Sequence, residues 1–279
     1  MGACELEGME NTDVVIMIPA RFESVRFPGK PLTPLLGTSL IQRCYQSAAK
    51  VPGLSGVFVA TDDERIADHV RSFGGKVIMT PRECRNGTER CSVAVDQLPV
   101  MPEIVVNWQG DSPLISSDYV SALISALRDS GSADLVTPAI RCDAELFERL
   151  KSDRAARQVG GTMVVVSRSR RALYFSKELL PFSDKVGCFE DSAAGPKSNL
   201  VEDFFFHIGM YAYRTSTLRE YASWPLGPLE AIEGLEQLRF LENDRRIDLV
   251  VVEGKGHWEV NNPEDVPLVE ALLKSHGLV

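Results

Sequence analysis

Five consecutive apolar residues, Val14-Val15-Ile16-Met17-Ile18, run up to Pro19. A short unbroken run of this kind predicts a strand buried on both faces, as in a parallel sheet, that enters a loop at the proline. From Ser39 the apolar positions take helical spacing (Leu40, Ile41, Cys44, Tyr45, Ala48) until Pro52-Gly53. The alternation then repeats. Strands are predicted over Gly56–Ala60, Lys76–Met79, Glu103–Trp108 and Asp134–Pro138, and helices over Asp63–Phe73, closed by Gly74-Gly75, and Tyr119–Arg128. Strands separated by helix-length segments indicate an α/β chain whose mostly parallel sheet carries helices on both faces. In such sheets ligands collect at the carboxyl ends of strands, so the loop after Ile18 and the turn Gln109-Gly110-Asp111 are expected to face one crevice.

Past about residue 150 the alternation weakens. Thr162–Val166 and Ala172–Ser176 predict a hairpin, Ser183–Asn199 a polar loop, and Phe204–Tyr213 one aromatic strand. Glu230–Asn243 reads as an amphipathic helix, Leu249–Glu253 as a strand and Pro263–His276 as a last helix. The pattern suggests one domain over residues 14–279, a flexible extension over 1–13, and a small β-rich lobe near 155–225.

Charge and composition narrow the function classes. With 30 Lys+Arg against 39 Asp+Glu the 279-residue chain carries a formal charge of −9, and 44% of it is hydrophobic, an ordinary folded composition. No apolar stretch approaches the ~20 residues that span a bilayer. The first ten residues hold three Glu and no signal-like run, and Leu6 stands where a myristoylation signal needs Ser or Thr. Six cysteines (4, 44, 84, 91, 142, 188) form no CxxC pair and read as reduced thiols. A cytoplasmic protein, bound neither to a membrane nor to nucleic acid, is expected. A local pocket of cations can still hold a small anion inside an acidic protein.

Three groups of residues are candidates for chemistry. Arg21, Arg26 and Lys30 surround Pro28-Gly29-Lys30-Pro31 directly after a buried strand, where a glycine lets backbone approach a ligand and three cations suit a polyphosphate. A solvated basic loop accounts for the same residues, and neither a Walker motif nor GxGxxG is present. Asp111, just past a strand end, suits Mg²⁺, which usually takes one or two carboxylates and fills its shell with water and phosphate oxygens; an Asp that only caps a turn is the plainer reading. Glu233 and Gln237, four apart in the expected helix, would share a face able to hold a polyhydroxylated substrate. His207, in an aromatic run, is by itself more easily read as a core histidine.

These residues also carry a family resemblance. Ile18-Pro-Ala-Arg-Phe-Glu-Ser-Val-Arg-Phe-Pro-Gly-Lys-Pro-Leu32, Ala60-Thr-Asp-Asp63, Gly87-Thr-Glu-Arg90, Asn107-Trp-Gln-Gly-Asp111, Ala172-Leu-Tyr-Phe-Ser176, His207-Ile-Gly-Met-Tyr-Ala-Tyr-Arg214 and Pro228-Leu-Glu followed by Leu-Glu-Gln-Leu-Arg239 resemble the 3-deoxy-manno-octulosonate (Kdo) cytidylyltransferases, in the family's order from about Val14 to Leu273. The resemblance implies a Rossmann-like nucleotidyltransferase fold, a homodimer formed through the β-rich lobe, CTP and Mg²⁺. The reaction would be transfer of CMP from CTP to a small acidic acceptor, foremost Kdo, with release of pyrophosphate, as in lipopolysaccharide biosynthesis. Arg21 and Lys30 would hold the phosphates, with Ala20, Gly87 and Thr88 near cytosine or ribose. Pro19, Thr61, Asn86, Arg90 and Gln109 would complete the nucleotide side. Gln109, His207, Tyr211, Glu233 and Gln237 would line the acceptor pocket, and Arg21, Lys30 and Asp111 would be catalytic.

The resemblance has gaps. The family's Gly-Val-Asp-Thr-Pro-Glu-Asp appears as Glu259-Val-Asn261-Asn-Pro-Glu-Asp265, so an amide stands where a metal-binding Asp is expected; Asp111 and Asn261 are the implied metal pair. A family histidine is Cys84, Arg85 is an added cation, and Ser112 replaces an acidic residue. Trp108 replaces a small one, and either fills part of the acceptor pocket or packs beneath the strand. Three alternatives follow: a phosphonate acceptor, as in phosphonoformate-type cytidylyltransferases; an 8-amino analogue of Kdo; or a non-catalytic nucleotide-binding homologue.

Overall fold

The computed structural model describes residues 13–24, 26–182, 203–253 and 259–278. The expected loop Ser183–Asn199, all but the last residue of the 1–13 extension, and Cys4 and Cys188 lie outside the described residues. In chain order the strands are β1 (Val14–Ala20), β2 (Pro34–Leu35), β3 (Thr38–Ser39), β4 (Gly56–Thr61), β5 (Lys76–Met79), β6 (Ile104–Trp108), β7 (Leu135–Arg141), β8 (Thr162–Val166), β9 (Ala172–Ser176), β10 (Phe205–His207), β11 (Met210–Arg214) and β12 (Ile247–Val251). The helices are α1 (Leu40–Ala48), α2 (Glu64–Ser72), α3 (Gly87–Val95), α4 (Ser117–Asp129), α5 (Ala144–Ala155), α6 (Thr215–Tyr221), α7 (Pro228–Glu233), α8 (Leu238–Glu242) and α9 (Asp265–Ser275).

The chain divides into two compact units, one of Met1–Leu135, Gly209–Pro225 and Lys255–Val279, the other of Val136–Ile208 and Leu226–Gly254. In the first, β5, β4, β1 and β6 form a parallel sheet and β11 joins β6 antiparallel. Val15 to Ile18 and Phe58 to Ala60 are fully buried, as strands covered on both faces must be. Helices α1, α2, α3 and α4 start where Ser39, Asp63, Asn86 and Ser116 accept backbone N–H bonds from their first turns. The second unit is antiparallel along β7-β10-β8-β9, with β12 also on β7.

Four sequence expectations need correction. Pro19 does not end the first strand, which continues to Ala20; β6 pairs with β1 only as far as Met17, so beyond it one edge of β1 is unpaired by β6 and a residue without an N–H is tolerated. Phe204–Tyr213 is two strands, not one, since β10 pairs with β7 and β8 while β11 pairs with β6. Glu230–Asn243 is two short helices. Gly234 takes a left-handed conformation (φ 63°) and ends α7, so Glu233 closes one helix, Gln237 precedes the next, and the two share no helix face. Helices α3, α5 and α6 are not foreseen in the sequence, although Asn86-Gly-Thr-Glu89 carries an N-terminal capping signature and Asp143 caps α5.

Candidate active site

The carboxyl ends of β1 and β6 bring the basic loop and the Asp111 turn together in the first unit. Lys30 opens a 3₁₀ turn behind Gly29, whose φ of 72° and backbone bond to the Phe22 carbonyl fold the loop back. The Lys30 ammonium then lies 2.8 Å from Asp111 Oδ2, with only 15% and 23% of the two side chains exposed. Ser112 donates to the other carboxylate oxygen at 3.3 Å, and Val260 N donates to the Asp111 carbonyl at 2.9 Å. The turn itself requires Gly110, because a Cβ there would stand 2.9 Å from the Pro19 carbonyl oxygen.

Gly87, at the start of α3, faces the same end of the sheet. A Cβ on it would lie 3.2 Å from Pro19 Cγ and 3.6 Å from both Asn107 Nδ2 and Gln109 Nε2. Gly87 therefore brings the start of α3 into close approach to Pro19 and Gln109. Asn86 caps α3 and donates to the Tyr221 hydroxyl at 2.9 Å. Thr61, Thr88 and Arg90 are buried. The Thr88 hydroxyl bonds that of Tyr213 at 2.8 Å, and Arg90 meets Thr80 at 2.5 Å and Asp62 at 3.4 Å. Tyr213 also accepts from Asn107 at 3.5 Å, which makes it the link between α3, β6 and β11. Neither Tyr213 nor Asn107 was singled out from the sequence, although Tyr211 and Tyr213, two apart on a strand, share a face and stack at 5.6 Å.

Trp108 is fully buried and its indole N–H reaches the Ser112 carbonyl at 3.4 Å, so it packs beneath the turn and braces it. The added Arg85 pairs with Glu89. Burial pushes the Cys84 thiol up, and it pushes the Cys44 thiol, beneath Asp111, up further. At the other side of the Asp111 turn Arg26 donates to Asn261 Oδ1 at 3.2 Å, and Asn261 donates from Nδ2 to Glu259 at 3.2 Å.

The expected acceptor residues divide between the units: Gln109 and Tyr211 in the first, His207, Glu233 and Gln237 in the second. His207 Nε2 is 2.8 Å from the Thr137 hydroxyl and its ring stands edge-on to Phe175. Glu233 accepts from Ser176 Oγ at 2.6 Å, Tyr174 Oη at 3.4 Å and Lys177 N at 3.1 Å, which ties α7 to the end of β9. Burial and the Glu233 carboxylate together raise the Tyr174 phenol. Gln237 is buried beside the Glu230–Arg239 ion pair of α7 and α8, bidentate at 2.5 and 2.7 Å.

Residues 15–247 match the cytidylyltransferase family model. The 3-deoxy-manno-octulosonate cytidylyltransferase of Maricaulis maris is 41% identical over 95% of this chain and 98% of its own length. The chain belongs to the 3-deoxy-manno-octulosonate cytidylyltransferase family. The enzyme of the same name from Porphyromonas gingivalis is 39% identical over 96% and 99%. Among solved structures, a CMP:2-keto-3-deoxy-manno-octonic acid synthetase complexed with CTP is 32% identical, with a TM-score of 0.79 over 95% of this chain and all of that one. A cytidylyltransferase from Leptospira borgpetersenii, 17% identical with a TM-score of 0.58, shares the fold. The resemblance read in the motifs and the α/β nucleotidyltransferase fold are both borne out. No helix among the described residues is long and apolar enough to cross a membrane, and the described cysteines 44, 84, 91 and 142 are in no disulfide.

Proposed function

We propose that the chain transfers CMP from CTP to Kdo, releasing pyrophosphate. The observation that carries this reading is the Lys30–Asp111 pair at the strand ends, where Gly87 also approaches Pro19 and Gln109 closely, in a chain aligned almost end to end with relatives named for that reaction. Arg21 and Lys30 hold the triphosphate, and Ala20 and Gly87 let the nucleoside approach backbone closely. Lys30 exchanges Asp111 for phosphate oxygens as CTP binds. The acceptor hydroxyl forms a new bond to the α-phosphorus, the bond from the α-phosphorus to the oxygen bridging it to the β-phosphate breaks so that pyrophosphate leaves with that oxygen, and the hydroxyl proton passes to solvent water. Gln109 and Tyr211 orient the acceptor from the first unit. Catalysis then rests on alignment and charge neutralisation, with no covalent enzyme intermediate.

The Asp111 carboxylate, freed from Lys30, and the lone pair of Asn261 Oδ1 that Arg26 leaves open would suit a hard divalent cation of the Mg²⁺ kind, which accepts few protein ligands when phosphates supply the rest. Among the described residues no three His, Cys, Asp or Glu cluster into a self-sufficient metal cage, in keeping with an ion brought together with its nucleotide. Bound there, Mg²⁺ would neutralise charge on the triphosphate. Residues 14–279 act as one functional domain in the cytoplasm. Exposed Leu173, Phe182, Leu226 and Ile232 of the second unit supply apolar surface for a second copy of the chain, giving a homodimer.

Pyrophosphate release from CTP and Mg²⁺ against Kdo, 8-amino-Kdo, other 2-keto sugar acids and small phosphonates tests the reading. Release with Kdo supports it. Release only with another acid changes the acceptor, and silence with every acid contradicts it.

A further inference from the structure

Three side chains form a line across the first unit: the Arg26 guanidinium, the Asn261 amide and the Glu259 carboxylate. A guanidinium only donates and a carboxylate only accepts, so the amide satisfies both neighbours in a single orientation, oxygen toward Arg26 and nitrogen toward Glu259. The backbone beneath it is pinned. Asn261 N and Asn262 N both donate to Asp265 Oδ2, at 2.8 and 2.7 Å, and Val260 N donates to the Asp111 carbonyl. The Glu259 carboxylate lies against Gly209 and Gln109: a Cβ at 209 would make ordinary contacts, 3.5 Å from Glu259 Oε1 and 3.6 Å from Gln109 Cγ.

We propose that Glu259 is a positioning residue for nucleotide binding, holding the Asn261 amide so that its oxygen tethers Arg26 and the basic loop beside the Asp111 turn. The inference rests on the CTP reading above. An amide oxygen holds the guanidinium without cancelling its charge, so Arg26 keeps its full attraction for a triphosphate. A carboxylate at position 261 would neutralise Arg26 and face Glu259 as a like charge. Glu259 and Asn261 thus function together, and changing one alters what the other contributes.

CTP affinity without acceptor, measured by calorimetry at Mg²⁺ raised until each variant is saturated with it, reads this directly, with KM for CTP and kcat measured alongside. Glu259→Ala frees the amide and weakens CTP binding roughly 3- to 10-fold, the size of one hydrogen bond, with kcat nearly unchanged. Glu259→Gln, whose carbonyl still accepts from Nδ2, binds CTP within about 2-fold of the native chain on the same reasoning. Asn261→Asp weakens binding, and adding Glu259→Gln to it restores part of the loss. If Glu259→Ala lowers thermal stability, the Gln and double variants carry the test.

Native CTP affinity in Glu259→Ala, equal damage from Gln and Ala, or independent effects in the double variant would overturn the proposal while leaving CTP turnover in place. A native chain that binds no CTP would overturn both.

Discussion

Lys30 and Asp111 stand 81 residues apart in the chain and 2.8 Å apart in the fold, an ion pair shared by the basic loop after β1 and the turn after β6. Each group keeps the other's charge compensated in a partly buried place where an isolated charge would be costly. In the proposed reaction the pair separates, the cation going to phosphate and the carboxylate to the metal side.

This exchange gives the two residues opposite kinetic signatures. Asp111→Ala releases Lys30, so CTP binding is kept or tightened while kcat falls by about 10²-fold or more. Lys30→Ala leaves a carboxylate facing the triphosphate and raises KM for CTP about 10-fold or more, from the loss of one charge-assisted contact. Steady-state kinetics with CTP varied at saturating Kdo separates the two, and matching effects in both variants would contradict the exchange.

Gly110→Ala is expected to damage the site without touching any charged group. Its Cβ would meet the Pro19 carbonyl at 2.9 Å, backbone against backbone, so the turn bearing Asp111 must shift. A displacement near 1 Å in a reacting constellation costs on the order of 10²-fold in rate. Kinetics of the folded variant, with its near-UV circular dichroism, checks this.

In the second unit the fully buried Arg239 is held by Glu230, and Glu242 accepts from Leu229 N at 2.7 Å and Glu230 N at 3.2 Å at the start of α7. Arg239→Ala leaves a buried carboxylate unpaired and should cost about 3–5 kcal/mol of stability. Urea unfolding is the measurement, and a loss below about 1 kcal/mol, typical of an exposed pair, would contradict the burial argument.

The buried thiols predict a pH dependence. Burial pushes Cys142 up to about 12, and Cys44 is raised too, so both remain protonated in the native state when the unfolded chain's thiols ionise near pH 9. A folded-state value above the unfolded one means the unfolded state sheds protons first, and stability falls as pH rises from about 9 towards 12. Cys142→Ala should flatten that fall relative to the native chain when unfolding midpoints at pH 7.5 and pH 10 are compared. The raised Cys84 thiol, half-buried, reacts slowly with alkylating reagents at pH 7.5, and Cys84→Ser keeps its activity; rapid labelling of Cys84 in mapped peptides would contradict the raised thiol.

The sheet around the site was legible because its signal is local. Val14 to Ile18 must be buried on both faces wherever it lies, and Ser39 and Asp63 announce their helices by capping. The basic loop and Asp111 were placed in one crevice by the rule for strand ends, and the structure brings them into contact. The second unit was less legible. Antiparallel pairing depends on distant partners, so the aromatic run 204–213 gave no sign that β10 and β11 pair with different neighbours. Gly234 was visible, but whether a glycine bends or ends a helix depends on the φ it adopts, and that decided the fate of the Glu233–Gln237 face. Arg26, Asn261 and Glu259 were each visible, whereas their alignment depends on contacts across 235 residues of chain.

The central claim is transfer of CMP to a sugar acid rather than hydrolysis of CTP, and ³¹P NMR of a reaction holding CTP, Mg²⁺ and Kdo reads it in one spectrum. The account predicts that the three CTP signals give way to pyrophosphate and a single phosphodiester signal, only when Kdo is present and not with Asp111→Ala. Free CMP in place of the phosphodiester, or a spectrum unchanged by Kdo, would contradict it.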